Sequence, residues 1–147
     1  MYDLANKDPG AAADYFASEY ADWVANLHSN PESFIDRTSL PEGDKWFFAD
    51  ETRARSYFAD LSECVHQGTA AFRWEMIAGY LPWGFRLDVI PMRVHLWHGE
   101  QDARVPRQHL DFTARRIPDS VVTIWPDAGH MGCVKHWDQI LRAMTVS

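Results

Sequence analysis

The C-terminal part of the chain alternates strand-like and helix-like segments, and that order constrains the fold more than any other feature. Met92–Trp97 reads as a strand, Pro106–Ile117 as a helix, Val121–Trp125 as a second strand and Val134–Met144 as a second helix. Pro106 suits the first turn of its helix, where Leu110, Thr113, Ala114 and Ile117 share a face. Val134, Trp137, Ile140, Leu141 and Met144 form a cleaner stripe on the last helix. A helix of this length between two strands predicts a right-handed crossover joining parallel strands, hence an α/β architecture.

The first half predicts helices with no strand between them. Asp8 can cap a helix whose first turn accepts Pro9, and Phe16, Tyr20, Trp23, Val24 and Leu27 recur at helical spacing until Asn30-Pro31. A short helical piece over Glu32–Arg37 and a turn at Leu40-Pro41-Glu42-Gly43 follow. Asp50 is placed to cap the next helix, with Ala54, Tyr57, Phe58, Leu61 and Val65 on one face. After Gly68, Thr69–Gly79 predicts a further helix carrying Phe72, Met76 and Ile77. Together they read as a helical layer that covers something.

Each predicted strand is followed by a side chain suited to acid–base work. Asp102 ends the run Trp97-His98-Gly99-Glu100-Gln101-Asp102, and His130 lies in Asp127-Ala128-Gly129-His130-Met131-Gly132. On parallel sheets, catalytic groups sit beyond the carboxyl ends of the strands, which is where both residues fall. An acid and an imidazole on neighbouring strands are two parts of a Ser-His-Asp type triad. The third part, a nucleophile on a Gly-x-Ser-x-Gly turn, is missing: none of the eight glycines brackets a serine, cysteine or aspartate in that pattern.

Other candidates are weaker. His95 and His98 sit three apart on a strand and so point to opposite faces, and His130 with His136 is no better placed; no metal and no cofactor is expected. Cys133 could be a thiolate at a helix start, but it lies on the same turn as His130 and lacks an elbow. Trp23, Trp46, Trp74 and Trp83 could line an apolar pocket, although aromatics at helical spacing are more often core. Arg104 and Arg107 near Asp102 read as surface pairs of little energetic weight.

Composition narrows the partners. The 147 residues suffice for one domain, which at this size buries roughly 70% of its unfolded surface. A hydrophobic content of 46% argues for a packed core, not a disordered tail. A net charge of -7 without any Lys/Arg cluster disfavours nucleic acid. No run approaches the ~20 apolar residues of a membrane span. The start Met1-Tyr2-Asp3-Leu4 lacks the basic and apolar runs of a leader, and Cys64 and Cys133 are the two cysteines, so reduced thiols in the cytoplasm are expected.

On these residues the chain resembles the C-terminal half of an α/β-hydrolase, esterase- or lipase-like. The segments that carry the resemblance are Pro82-Trp83-Gly84-Phe85, Ile90-Pro91, Leu96 through Asp102, Val105-Pro106 and Ala128-Gly129-His130. It covers roughly residues 80–147; before that, only position and pattern are similar to the family's helical cap. The resemblance implies a partial α/β-hydrolase fold: a cap-like segment over 1–80, then a strand-helix-strand-helix part over 81–147, with two parallel strands flanked by helices. It implies that Asp102 fixes the tautomer of His130 and that His130 is general base and then general acid. It also implies that the family's first six strands, nucleophile elbow and oxyanion-hole amides lie upstream of this chain. Losing a triad nucleophile alone typically costs about 10⁶-fold in turnover, so no useful hydrolysis is expected from the chain by itself. The absent nucleophile could be Ser, Asp or Cys.

The same resemblance places a third strand beside Met92–Trp97. Without it, one strand edge is unpaired and invites another chain. Two partners are therefore expected: a second copy, giving a homodimer through a four-stranded sheet, or a separate polypeptide supplying the N-terminal hydrolase half. A small apolar ester-like substrate goes with the second. A non-catalytic interaction domain derived from a hydrolase is the alternative.

Overall fold

A computed structural model describes residues 2–145 of the chain. Met1, Val146 and Ser147, at the ends of the two expected segments, lie outside the described residues. The architecture is mixed helix and sheet, with two parallel strands. In chain order the elements are α1 (Tyr2–Lys7), α2 (Pro9–Glu19), α3 (Ala21–Ser29), a 3₁₀ turn (Pro31–Phe34), α4 (Glu42–Ala49), α5 (Glu51–Cys64) and α6 (Thr69–Ala78). A second 3₁₀ turn (Leu87–Val89), β1 (Val94–Gly99), α7 (Arg107–Ala114), β2 (Ser120–Trp125), α8 (Gly132–Lys135) and α9 (Trp137–Thr145) complete the fold.

The chain forms two compact units. One holds residues up to Asp36 together with Ala54–Phe85; the other holds Arg37–Arg53 together with the residues from Arg86 onward. This division departs from the expected segments 1–80 and 81–147, because Arg37–Arg53 belongs with the strands. The physical cause is a set of polar contacts between α4 and the loops after β1 and β2, described below.

The first unit is helical. Asp8 caps α2, its Oδ1 accepting from the amide of Ala11. Two clusters of buried side chains lie in its core, and Ile35, Ala54 and Phe58 are buried besides. Ala5, Ala12, Ala13, Phe16 and Ile77 form one, with Tyr20, Met76 and Tyr80 packed against it. Val24, Leu27 and Val65 form the other, with Trp23, Phe34, Leu61 and Phe72 around them. The single stripe expected from Phe16 to Leu27 is kept, but it spans two helices that break at Tyr20 (φ -105°, ψ 6°).

In the second unit β1 and β2 pair in parallel, Val94 opposite Ser120 through Gly99 opposite Trp125. Leu110 and Ile117 are buried, as their spacing predicts. Trp125, Ala128 and Ile140 form the cluster beside the strands, with Trp97 against it. Full burial of an aliphatic side chain such as Ile140 contributes about 1.5–3 kcal/mol. The rest of the expected last stripe points outward: Val134, Trp137, Leu141 and Met144 are all exposed. The segment is also two helices, with His136 (φ -111°, ψ 26°) between α8 and α9. That break lets the His136 ring stack on Trp125 at 4.6 Å between centroids.

Candidate acid–base site

Two loops leave the carboxyl ends of the strands, and hydrogen bonds fasten them together. The amide of Glu100 donates to the Trp125 carbonyl, and that of Gln101 to the Ala128 carbonyl. Gln101 extends the seam with its side chain: Nε2 donates to the Pro126 carbonyl at 2.8 Å, and Oε1 accepts from the amide of Gly43 at 2.8 Å. A side chain at Gly99 would overlap the Ala128 and Gly129 carbonyl oxygens, so the two loops approach too closely for any other residue.

On this seam Asp102 and His130 meet. His130 Nδ1 lies 3.1 Å from Asp102 Oδ2. The other carboxylate oxygen, Oδ1, accepts from the amides of Arg104 at 2.8 Å and Val105 at 2.9 Å, an Asx turn that fixes the carboxylate plane. One oxygen therefore holds the group in place and the other faces the imidazole. Burial pushes the Asp102 carboxyl up, but the Val105 and Arg104 amides and the His130 ring together outweigh it and hold it below the usual carboxylate range. An anion at Oδ2 favours the proton on Nδ1 of His130, which leaves Nε2 as a lone pair. Nε2 has no protein hydrogen bond among the described residues. The His130 side chain is 39% exposed and that of Asp102 9%, so the base is reachable while its orienting acid is sheltered.

The loop bearing His130 is also held from behind. Lys135 Nζ donates to the Asp127 carbonyl at 2.7 Å and pairs with its carboxylate at 2.8 Å. His136 Nε2 lies 3.2 Å from the same carboxylate. The hydrogen bond from Lys135 holds the exposed Asp127 carboxyl below its ordinary range. Asp44, which the sequence did not single out, is buried in α4 and accepts from the amides of His130 and Met131. Its one sequence signal is an acidic residue in a helix first turn, the ordinary signature of a solvated helix start.

A cleft of about 250 Å³ opens at the pair, lined by Trp97, His98, Val105, Trp125, His130 and Cys133 among others. His98 Nε2 donates to the Val105 carbonyl at 3.0 Å, so Nδ1 is its lone pair, buried without a partner. His95 instead stacks on Trp97, on the opposite face of β1 from His98. Among the described residues no group of three His, Cys, Asp or Glu side chains could hold a metal ion. Cys133 is an exposed free thiol on the cleft wall.

The four tryptophans weighed as pocket residues have other surroundings. Trp23 packs on Phe34 and Phe72. Trp46 lies under the Arg53 guanidinium at 5.0 Å. Trp74 and Trp83 are exposed, the latter stacked on Phe85. Arg107 pairs with Asp111 one helical turn on, a surface pair as expected, and Arg104 meets Asp102 through its backbone amide.

No helix among the described residues is long and apolar enough to cross a membrane. Comparisons of the chain with family models, with curated proteins and with solved structures found no significant match.

Proposed function

We propose that this chain is of α/β-hydrolase type and contributes the acid and base of a triad that hydrolyses esters or related bonds. The observation that carries the reading is the 3.1 Å approach of His130 Nδ1 to Asp102 Oδ2, with the acid's second oxygen anchored and the partly exposed His130 lining the cleft. In that role Nε2 takes the proton of an attacking hydroxyl or thiol, Asp102 stabilises the imidazolium, and the same proton passes to the leaving group; Nε2 then deprotonates a water that releases the acyl group as the acid and frees the nucleophile. The nucleophile stands outside these 147 residues, on a complementing hydrolase segment. A cleft of about 250 Å³ falls just under the roughly 300 Å³ at which drug-sized ligand pockets begin. It fits a small apolar acyl or alkyl group within a site completed from elsewhere.

The test is p-nitrophenyl ester turnover by the chain alone and by the chain with a hydrolase segment bearing Gly-x-Ser-x-Gly, added in trans or fused ahead of it. The chain alone is expected to show no saturable turnover. The completed form is expected to turn over, with about a 10⁴-fold loss in kcat on Asp102→Asn and a loss at least as large on His130→Ala. Turnover that is indifferent to His130→Ala would overturn the proposal.

A second reading rests on a different observation. Among the described residues the sheet has two strands, so each keeps an outer edge open to another chain. A non-catalytic domain that self-associates through such an edge uses the same fold without the chemistry.

A further inference from the structure

We infer that Asp44 is a positioning residue for His130, fixing its backbone as Asp102 fixes its ring; this rests on the reading of His130 as the general base. Asp44 is 4% exposed, the one buried charged side chain among the described residues. A buried carboxylate without partners is strongly unfavourable, and no Lys or Arg among the described residues pairs with this one. Its partners are two backbone amides far away in sequence: Oδ2 accepts from His130 N at 2.9 Å, and Oδ1 from Met131 N at 2.8 Å. Such bonds to an ionised acceptor are roughly twice as strong as neutral ones.

The choice of donors is what separates positioning from general stabilisation. The amides of His130 and Met131 bracket the His130 Cα, so holding both fixes the peptide planes on either side and with them the direction of the Cα–Cβ bond. Asp102 then fixes rotation of the ring through Nδ1. The approach is close enough that a side chain at Gly129 would overlap the Asp44 carboxylate. Two carboxylates thus hold one histidine, Asp44 at its backbone and Asp102 at its ring, and α4 is part of the acid–base unit although it lies more than eighty residues earlier. A displacement of 1 Å at a catalytic group costs about 10²-fold in rate, so removing the backbone anchor is expected to act on turnover more than on binding.

The experiment compares the unmodified chain with Asp44→Asn, which keeps the shape but turns an N–H donor toward one of the two amides. In the unmodified chain, the His130 and Met131 amides should exchange with deuterium more slowly than their neighbours Asp127 and Cys133. Asp44→Asn should speed exchange at those two amides by at least about tenfold, the loss of a bond to a charged acceptor, while amides in β1 and β2 are unchanged. In the completed enzyme kcat should fall about 10²-fold with KM within about twofold. Unprotected His130 and Met131 amides in the unmodified chain overturn the inference without recourse to a variant. So does an Asp44→Asn protein that folds and exchanges as before. If instead the unmodified chain shows protected amides but no Nδ1–H bond from His130 to Asp102, the hydrolase reading fails and the anchor stands as a structural one.

Discussion

Asp102 keeps its charge against its own burial, and the balance has a thermodynamic consequence. Its carboxyl sits below the ordinary range in the folded protein because two amides and an imidazole favour the anion more than burial disfavours it. A group whose folded pKa is depressed stabilises the fold above its unfolded value, about 3.9 for Asp, and that contribution is lost as pH falls through the folded value. Urea midpoints measured from about pH 6 down to pH 2 should therefore decline, and Asp102→Asn should flatten the part of the decline below about pH 4. Equal slopes for the two proteins would show that Asp102 gains nothing from its surroundings. Asp102 and His130 were readable from the chain because each follows a strand-like run within a glycine turn. Asp44 was not, since Glu42-Gly43-Asp44 has the look of any acidic helix start and only the fold reveals what its carboxylate meets. Gln101 escaped for the same reason: a glutamine beside a turn says nothing of the two loops it joins.

At the level of elements, periodicity located what it can locate. β1 and β2 begin and end within two residues of the expected runs, and α5, α6 and α7 bury the faces their spacing predicts. α1 and α4 have no counterpart in the periodicity, and two helices break where it runs on. Leu40-Pro41-Glu42-Gly43 has the composition of a turn, yet Glu42 and Gly43 open α4; Pro41 precedes the first turn, where its missing amide costs nothing. The breaks at Tyr20 and His136 carry neither Pro nor Gly, so nothing local announces them. The last stripe exposes a further limit of pattern. Spacing finds an apolar face, but what covers it is a matter of tertiary structure. Of that stripe only Ile140 is buried, against Trp125 and Ala128.

At the scale of the molecule, the governing facts are two compact units and, among the described residues, a sheet of two parallel strands. Parallel sheets usually have more strands and both faces covered, and here β2 also leaves Val121 and Val122 exposed. Val121 and Val122 point to opposite faces of β2, so an exposed valine lies on each side of an open strand edge, an arrangement that favours association. Light scattering at micromolar concentration should give a mass above that of the 16.9 kDa monomer, while a monodisperse monomer would remove the self-association reading. The hydrolase reading does not depend on that outcome, because every group of the acid–base pair lies within one unit. What it depends on is the ring of His130. Nitrogen-15 NMR of the imidazole at a pH where it is neutral should find the proton on Nδ1, with Asp102→Asn shifting it toward Nε2. A neutral His130 protonated on Nε2 in the unmodified chain, unchanged by that substitution, would contradict the account.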